Sequence, residues 1–234
     1  MTNDLNIIFK KIKSKGLVYS ILYTAKEIKY KFLTILGVSY SQRGEDLIIN
    51  KLLGNKDKGF YVDVGAYNPF KLSNTLKFYK KGWSGINIEP QKANYNLFVK
   101  HRTRDINLNF GIGKKEEELE FFEMSPESLS TFSEKEAKVN KALGYKLKRV
   151  SKIKIYRLDN ILVKYLNKHH IDFMSIDTEG YDLDVLQSNN WNKFKPKVIC
   201  IESKKDNGLQ EKFLSSKGYS KVADNGLNSI FLLR

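Results

Sequence analysis

Acidic residues stand at the ends of two short apolar runs. Asp63 lies within the run 60–64, which leads into Gly65, and Glu89 directly follows the run 85–88. A carboxylate placed roughly 20 residues beyond such a glycine can accept hydrogen bonds from both hydroxyls of a ribose. The glycine itself lets a ligand approach the backbone closely. These residues therefore predict a nucleoside site.

The sequence around Gly65 lacks the glycines that a phosphate group needs. A dinucleotide site uses the pattern G-x-G-x-x-G, which brings backbone N–H groups to the pyrophosphate, and only Gly65 is present here. The pair Gly54 and Gly59 precedes the first run and lacks the Lys-Ser/Thr of a phosphate-binding loop. With Asp63 beside it, the site favours a cationic nucleoside without phosphate, which describes S-adenosylmethionine.

Three further carboxylates follow two later apolar runs. Asp177 and Glu179 come after the run 171–176, and Glu202 follows the run 198–201. If these runs are parallel strands, the carboxylates converge at one edge, where one of them can take a proton from an acceptor hydroxyl. Alternatively, they ligate Mg²⁺, which prefers oxygen ligands and would acidify the hydroxyl. We expect Asp177 and Glu179 to be catalytic and Glu202 to face the acceptor.

The histidines are not expected to act as the base. His169 and His170 precede the run 171–176 and so fall at the opposite end of that strand, and His101 closes a helical stretch. The single cysteine, Cys200, lies inside an apolar run, which is typical of a core residue, and it excludes an internal disulfide. A reducing compartment is the simplest setting, so we expect a cytoplasmic location.

Short apolar runs alternate with helical stretches from Phe60 onward. Each run is almost continuously apolar, which is typical of strands covered on both faces. The runs are 60–64, 85–88, 106–110, 171–176 and 198–201, and the helical stretches are 73–80, 92–101, 158–168 and 182–188. The alternation predicts a mostly parallel sheet that binds ligands beyond the carboxyl ends of its strands.

Two regions depart from this alternation. An apolar piece, 119–122, leads into the polar stretch 123–154, which we interpret as an insertion with a helical patch at 135–143. Insertions of this kind often contact substrates, so we expect Ser130 and Thr131 to touch the acceptor. The final segment, 218–233, places Asp224-Asn225-Gly226 between two runs and predicts an antiparallel hairpin.

Positive charge is in excess, with 41 Lys and Arg against 26 Asp and Glu in 234 residues. An apolar fraction of 41% is sufficient for a folded core, and the length fits one domain with an appendage. The basic segment 1–37 has apolar residues at three- and four-residue steps, which predicts amphipathic helices. Its uncharged stretches are shorter than the roughly 18 residues of a membrane span. The segment suits either packing on its own domain or peripheral contact with an anionic membrane.

Six segments occurring in a fixed order are far more specific than any single feature. They are Tyr40-Ser-Gln-Arg-Gly-Glu-Asp46, Gly59-Phe-Tyr-Val-Asp-Val-Gly-Ala66, Ser73-Asn-Thr75, Gly82-Trp-Ser-Gly-Ile-Asn-Ile-Glu-Pro90, Ser130-Thr-Phe132 and Ile171-Asp-Phe-Met-Ser-Ile-Asp-Thr-Glu-Gly180. This set resembles the FkbM family of S-adenosylmethionine-dependent methyltransferases. The likeness extends over about residues 40–202.

The resemblance implies a Rossmann-like class I methyltransferase domain over residues 40–234, with residues 1–39 as a basic helical extension outside the match. It implies a seven-stranded sheet whose last strand is reversed. It places Asp63 and Gly65 near the methionine part of the cofactor, Glu89 on the ribose and Asn109 on the adenine side. The cofactor residues that it implies are Gln42, Glu45, Asp63, Gly65, Ala66, Tyr67, Glu89 and Asn109.

Members of this family typically methylate oxygens of sugars or of polyketide-type natural products. The expected reaction is therefore O-methylation of a sugar hydroxyl, in a cell-surface glycan or a glycosylated natural product. The alternatives are a non-catalytic basic module for membrane or RNA, and a methyltransferase that acts on RNA or protein. Nucleic acid is disfavoured, because no RNP1 run, KH loop or helix-turn-helix spacing occurs in the sequence.

Overall fold

The described part of the chain forms a seven-stranded sheet flanked by helices and a smaller three-stranded sheet. In a computed structural model it comprises residues 25, 28–30, 32–33, 35–167, 169–203 and 208–234. The strands are β1 (Phe60–Val64), β2 (Ser84–Ile88), β3 (Ile106–Leu108), β4 (Gly111–Ile112), β5 (Glu117–Ser125), β6 (Lys146–Tyr156), β7 (Phe173–Ile176), β8 (Val198–Glu202), β9 (Tyr219–Asp224) and β10 (Asn228–Leu233). The helices, numbered from residue 45 onward, are α1 (Glu45–Leu52), α2 (Leu76–Lys80), α3 (Lys92–His101), α4 (Glu134–Ala142), α5 (Leu158–Tyr165), α6 (Asp182–Gln187) and α7 (Leu209–Ser216). The helices predicted for residues 1–37 fall largely outside the described residues, and those described between 25 and 35 are helical.

The large sheet has the strand order β3-β2-β1-β7-β8-β10-β9. Its strands run parallel except β10, which is antiparallel to both β8 and β9. The predicted mostly parallel, seven-stranded sheet with a C-terminal antiparallel hairpin is therefore confirmed. The chain order reverses between β1 and β7, and the carboxyl ends of strands at such a point form the ligand crevice of open α/β sheets.

Apolar side chains cover both faces of the central strands. Every residue of β1 and β7 is buried. On one face the rings of Phe78, Trp83 and Phe173 pack with centroids 4.6 to 6.2 Å apart. Burying one large apolar side chain contributes about 1.5 to 3 kcal/mol. The strand ends are consequently held on a rigid base, which positions the carboxylates that follow them.

The small sheet corrects the interpretation of residues 123–154 as a polar insertion with one helical patch. The helix is present as α4, but it lies in the connection between two long antiparallel strands, β5 and β6. The short strand β4 pairs with the end of β6. Most of β6 is partly or fully exposed and rich in charge, so its sequence carries no apolar run. Its strand conformation depends on cross-strand partners, since Lys152 and Lys154 lie opposite Glu120 and Glu118.

Several predicted boundaries also differ from the structure. The helix expected from residue 73, with Ser73 as its cap, begins at Leu76 with Thr75 as its N-cap, and the Ser73 hydroxyl accepts from the Leu76 N–H (3.1 Å) in the preceding loop. The strand expected over 106–110 ends at Leu108, and that over 171–176 begins at Phe173. The helix predicted for 158–168 ends at Tyr165.

Candidate active site

A cavity opens where β1, β2 and β7 end, at the carboxyl edge of the large sheet. Nine of the predicted site residues line it: Gln42, Asp63, Gly65, Ala66, Tyr67, Glu89, Ser130, Asp177 and Glu179. The other four, Glu45, Asn109, Thr131 and Glu202, lie outside its lining. Direct ligand contact by any of these residues remains a prediction.

The charged residues that line the cavity are all acidic. Asp63, Glu89, Glu127, Asp177 and Glu179 face it, and no Lys, Arg or His among the described residues does so. A concentration of one sign of charge in a cleft attracts ligands of the opposite sign. The cavity is therefore suited to a cation and poorly suited to a phosphate.

Glu89 follows β2 with both carboxylate oxygens held by backbone N–H groups. Tyr67 donates to Oε2 and Gln91 donates to Oε1, each at 2.7 Å. Burial raises the pKa of Glu89 to about 8, although the two N–H donors act to lower it. The carboxyl group is therefore largely protonated at pH 7 in the empty cavity, and a cationic ligand would favour the ionised form.

Asp63 lies next to the last residue of β1, and its carboxylate Oδ2 accepts from Thr75 Oγ1 at 2.9 Å. Burial raises the pKa of Asp63 to about 6, against the Thr75 hydroxyl and the charge of Arg102, which lower it. The neighbouring charges differ in sign: Arg102 lowers the pKa of Asp63, whereas Asp63 and Glu127 raise that of Glu89.

The turn after β1 brings backbone into close contact with the end of β7. Gly65 has φ 76°, and a Cβ built on it would lie 1.9 Å from the carbonyl oxygen of Asp177. Tyr67, two residues later, also has a positive φ of 54°. Only glycine permits this approach, and the absence of a side chain at Gly65 leaves the backbone of the turn accessible at the edge of the cavity.

An apolar wall, which the sequence did not reveal, forms another part of the lining. It consists of Ile88, Pro90, Phe110, Ile112, Phe121, Leu129 and Phe132. The rings of Phe121 and Phe132 lie with centroids 4.7 Å apart. Asn109, expected on the adenine side, instead donates from Nδ2 to the carbonyls of Glu89 (2.9 Å) and Pro90 (2.8 Å) and lines a neighbouring groove. Ile88, Pro90 and Phe132 occur in the motifs quoted above, but nothing in the sequence indicated that they share one wall.

The acidic cluster predicted beyond β7 and β8 is present. Asp177, Glu179 and Glu202 each offer a carboxylate oxygen within 4.8 Å of the others. Glu179 has φ 51°, and its carbonyl accepts from Thr131 Oγ1 at 2.7 Å, which uses the Thr131 hydroxyl away from the cavity. The cluster is close enough for proton transfer or for cation ligation.

Glu45 ties two loops together instead of facing the cavity. Its Oε2 accepts from the backbone N–H of Arg43, and its Oε1 accepts from the amides of Asn225 and Asn228, all at 2.7 Å. Gln42, in the loop before α1, and Asn228, the first residue of β10, both line the cavity. The sequence missed Asn228 because the hairpin turn gave no sign that it reaches the site.

Comparison with known proteins gives one family match and several structural likenesses. The model of the methyltransferase FkbM domain matches residues 63–221. A search of curated proteins finds no match.

The structural likenesses are distant. A methyltransferase FkbM from Methylobacillus flagellatus KT is 16% identical with a TM-score of 0.47, and the match covers 75% of this chain and 44% of that one. The METTL16 methyltransferase domain is 12% identical with a TM-score of 0.45, covering 80% and 64%. A precorrin-6y C5,15-methyltransferase from Geobacter metallireducens GS-15 is 10% identical with a TM-score of 0.43, covering 82% and 90%. The chain thus spans less than half of the first structure.

Proposed function

The chain belongs to the FkbM methyltransferase family, and from that premise we propose that it transfers a methyl group from S-adenosylmethionine to a hydroxyl group of a sugar. The observation that carries the proposal is the cavity lining, whose charged groups within the described residues are all carboxylates. A sulfonium nucleoside without phosphate matches this lining. A dinucleotide would bring its pyrophosphate among five acidic side chains; those that are ionised repel it, and the described lining offers no cation to pair with it.

Each part of the cofactor has partners of suitable chemistry in the cavity. Glu89 would accept from the ribose hydroxyls, and Asp63 would pair with the ammonium group of the methionine tail. Gly65 leaves room for the tail beside the backbone, and Phe121 and Phe132 offer apolar faces for the adenine. When bound, S-adenosylmethionine supplies an electrophilic methyl group on a positively charged sulfur.

The uncharged polar lining of the cavity suits a neutral polyol. The side chains of Gln42, Asn74 and Asn228 line this cavity together with Asp177 and Glu179. Amides and carboxylates donate to or accept from hydroxyl groups, whereas an acceptor bearing a phosphate would meet like charge. These groups favour a sugar over an RNA acceptor, whether the sugar belongs to a glycan or to a natural product.

The carboxylates beyond β7 provide the proton chemistry that a sugar hydroxyl requires. Asp177 or Glu179 would take the hydroxyl proton during attack, and such a base typically contributes a factor of about 10² to 10⁴. With Glu202 the same groups offer oxygen ligands to Mg²⁺, which would acidify the hydroxyl instead. Chelation distinguishes these two roles.

Replacing Glu89 by alanine is expected to raise the Kd for S-adenosylmethionine on the order of 100-fold. The variant loses two charge-assisted hydrogen bonds to the ribose, each contributing about 1.5 kcal/mol. Isothermal titration calorimetry measures the effect, and Glu118→Ala, which removes an exposed carboxylate of β5, is the control. Equal affinities of wild type and Glu89→Ala would reject this assignment.

The same carboxylate should make the affinity depend on pH. The pKa of Glu89 is raised to about 8 and that of Asp63 to about 6, and the cationic cofactor favours both ionised forms. Affinity should therefore rise between pH 6 and pH 8, and Glu89→Gln should flatten this rise. A wild-type affinity that falls over this range would contradict the role of Glu89.

We also propose that the basic N-terminal segment contacts an anionic membrane surface. Ile28, Phe32 and Ile35 lie on helical residues at steps of four and three, and they are 63%, 58% and 81% exposed. Lys29, beside them, is exposed as well. Within the described residues, no helix is long and apolar enough to cross a bilayer. An exposed apolar stripe with lysines is typical of a helix that lies in the plane of a membrane surface.

Changing Ile28, Phe32 and Ile35 together to serine in the full chain should reduce partitioning onto anionic vesicles by about tenfold, because the apolar area that enters the interface is lost. Cosedimentation with vesicles of phosphatidylserine and phosphatidylcholine measures this. The matched control is Val163→Ser, which changes an apolar residue of α5 that is 61% exposed. Unchanged partitioning of the triple variant would dispose of the proposal.

A further inference from the structure

A buried arginine supports the loop that connects β1 to α2. Arg102 follows α3 and is 1% exposed. From Nη2 it donates to the carbonyl of Pro69 (2.9 Å) and to the hydroxyl of Ser73 (3.2 Å), and from Nε it donates again to Pro69 (3.3 Å). Residues 65–67 of the same loop line the cavity. The guanidinium therefore holds the loop of residues 65–75 in place from the protein interior.

The contacts continue from Ser73 to a carboxylate in the cavity. The Ser73 hydroxyl lies 3.2 Å from Thr75 Oγ1, which in turn donates to Oδ2 of Asp63 at 2.9 Å. Ser73, Thr75 and Asp63 are all buried. Arg102 is thus linked to Asp63 through two hydroxyl groups.

The remaining faces of the guanidinium are also occupied. Its Nη1 donates to the Tyr61 hydroxyl at 3.2 Å and lies 3.9 Å from Oδ2 of Asp105. The guanidinium carbon lies 4.7 Å from the centre of the Tyr79 ring. A buried charge is costly unless it is paired and hydrogen-bonded, and a planar guanidinium with this many fixed partners has one orientation.

We propose that Arg102 is a positioning residue for the cofactor, holding the loop of residues 65–75 and the carboxylate of Asp63 in the arrangement that receives the methionine tail. This rests on the proposed function, since it takes S-adenosylmethionine as the ligand. A purely structural role would affect every part of the ligand alike. The contacts of Arg102 reach Asp63 through Ser73 and Thr75, whereas Glu89 is also held by the Gln91 N–H, so loss of Arg102 should weaken binding of the tail more than that of the adenosine.

The charge of Arg102 adds a pH signature. Asp63 is faced by Arg102 from the end of α3, by Asp105 before β3, by Glu89 after β2, by the Cys200 thiol of β8 and by the Tyr61 hydroxyl of its own strand. Burial raises the pKa of Asp63 to about 6, Arg102 opposes this rise and Asp105 adds to it. Removing the positive charge should raise the pKa of Asp63 further. On acidification, Asp63 would then take up its proton at a higher pH than in the wild type, and the affinity for the cofactor would fall at that higher pH.

The test compares Arg102→Lys, which keeps the positive charge but loses the planar set of N–H donors, with Arg102→Met in the full chain. Arg104→Lys is the matched control, because Arg104 is an exposed arginine two residues away. Calorimetry gives Kd for S-adenosylmethionine and for 5′-methylthioadenosine, which lacks the amino acid tail. In Arg102→Lys we expect a Kd about tenfold higher for the first ligand, as for one lost charged hydrogen bond, and less than about twofold higher for the second. The pH at which affinity for S-adenosylmethionine is half lost on acidification should rise by about half a unit in Arg102→Met and stay unchanged in Arg102→Lys.

Equal losses for both ligands, or no loss in either variant, would overturn the proposal. Amide hydrogen exchange of the ligand-free protein gives a second readout: faster exchange confined to residues 65–75 supports the role, and uniformly faster exchange overturns it. If Arg102→Met does not fold, Ser73→Ala breaks the same link with the charge retained, and a selective loss for S-adenosylmethionine is again expected. Wild-type protein that binds neither ligand would refute the proposed function, and hydrogen exchange would still decide whether Arg102 holds the loop.

Discussion

The Gly65→Ala variant is expected to lose S-adenosylmethionine binding, with a Kd at least about 100-fold higher. A Cβ at this position would lie 1.9 Å from the carbonyl oxygen of Asp177 and 2.8 Å from its carbonyl carbon. Neither backbone segment can move freely, since the Gly65 N–H donates to Ile88 (3.0 Å) and the Asp177 N–H donates to Val64 (3.0 Å). Relieving the clash must therefore separate β1 from β7 where the cavity forms, and a 100-fold change in Kd corresponds to roughly 2.7 kcal/mol.

A second glycine isolates the effect of the clash from the effect of backbone conformation. Gly54 has φ 65°, close to the 76° of Gly65, but a Cβ there has no neighbour within 4 Å. Both substitutions carry the left-handed backbone cost of about 1 kcal/mol, and only Gly65→Ala adds the collision. Urea unfolding and calorimetry should show Gly54→Ala slightly destabilised with its Kd within about twofold of wild type. Similar Kd values in the two alanine variants would contradict the role of the close approach.

The parallel sheet could be predicted because each central strand carries its own signal. The strands β1 and β7 are buried along their whole length, so their sequences contain almost no polar interruption. Once the strands run parallel, Asp63, Glu89 and Asp177 must share one edge, whatever the details of packing. That reasoning needs only local sequence and topology, and the cavity lining agrees with it.

The parts that sequence reasoning missed depend on partners distant in the chain. The strand β6 is exposed and charged, and its conformation follows from pairing with β5. Arg102 bonds to Pro69, and Glu45 bonds to Asn225 and Asn228 across most of the chain. Buried polar residues such as these look like surface residues in the sequence, because their burial is decided by three-dimensional neighbours alone.

Neutralising the carboxylates beyond β7 is expected to have the largest effect on turnover. Asp177→Asn and Glu179→Gln preserve shape while removing a charge that lines the cavity. The variant that removes the base should lower kcat by about 10² to 10⁴, while the Kd for S-adenosylmethionine changes only a few-fold. Transfer of labelled methyl groups to a panel of methyl glycosides at saturating cofactor measures kcat. Glu211→Gln, which alters a surface carboxylate paired with Lys221, is the control.

Chelation then separates proton transfer from metal ligation by the same cluster. If a carboxylate is the base, EDTA should leave the wild-type rate unchanged, and one variant should account for nearly the whole loss. If Asp177, Glu179 and Glu202 share an ion, as oxygens within 4.8 Å of one another permit, EDTA should remove activity that Mg²⁺ restores, and each of the three variants should need more Mg²⁺. Full turnover in Asp177→Asn and Glu179→Gln would contradict both roles. Gln42 and the amide oxygens of Asn74 and Asn228, whose nitrogens already donate within the protein, would then be left to hold the acceptor. The rate would have to come from alignment, which can supply on the order of 7 to 11 kcal/mol.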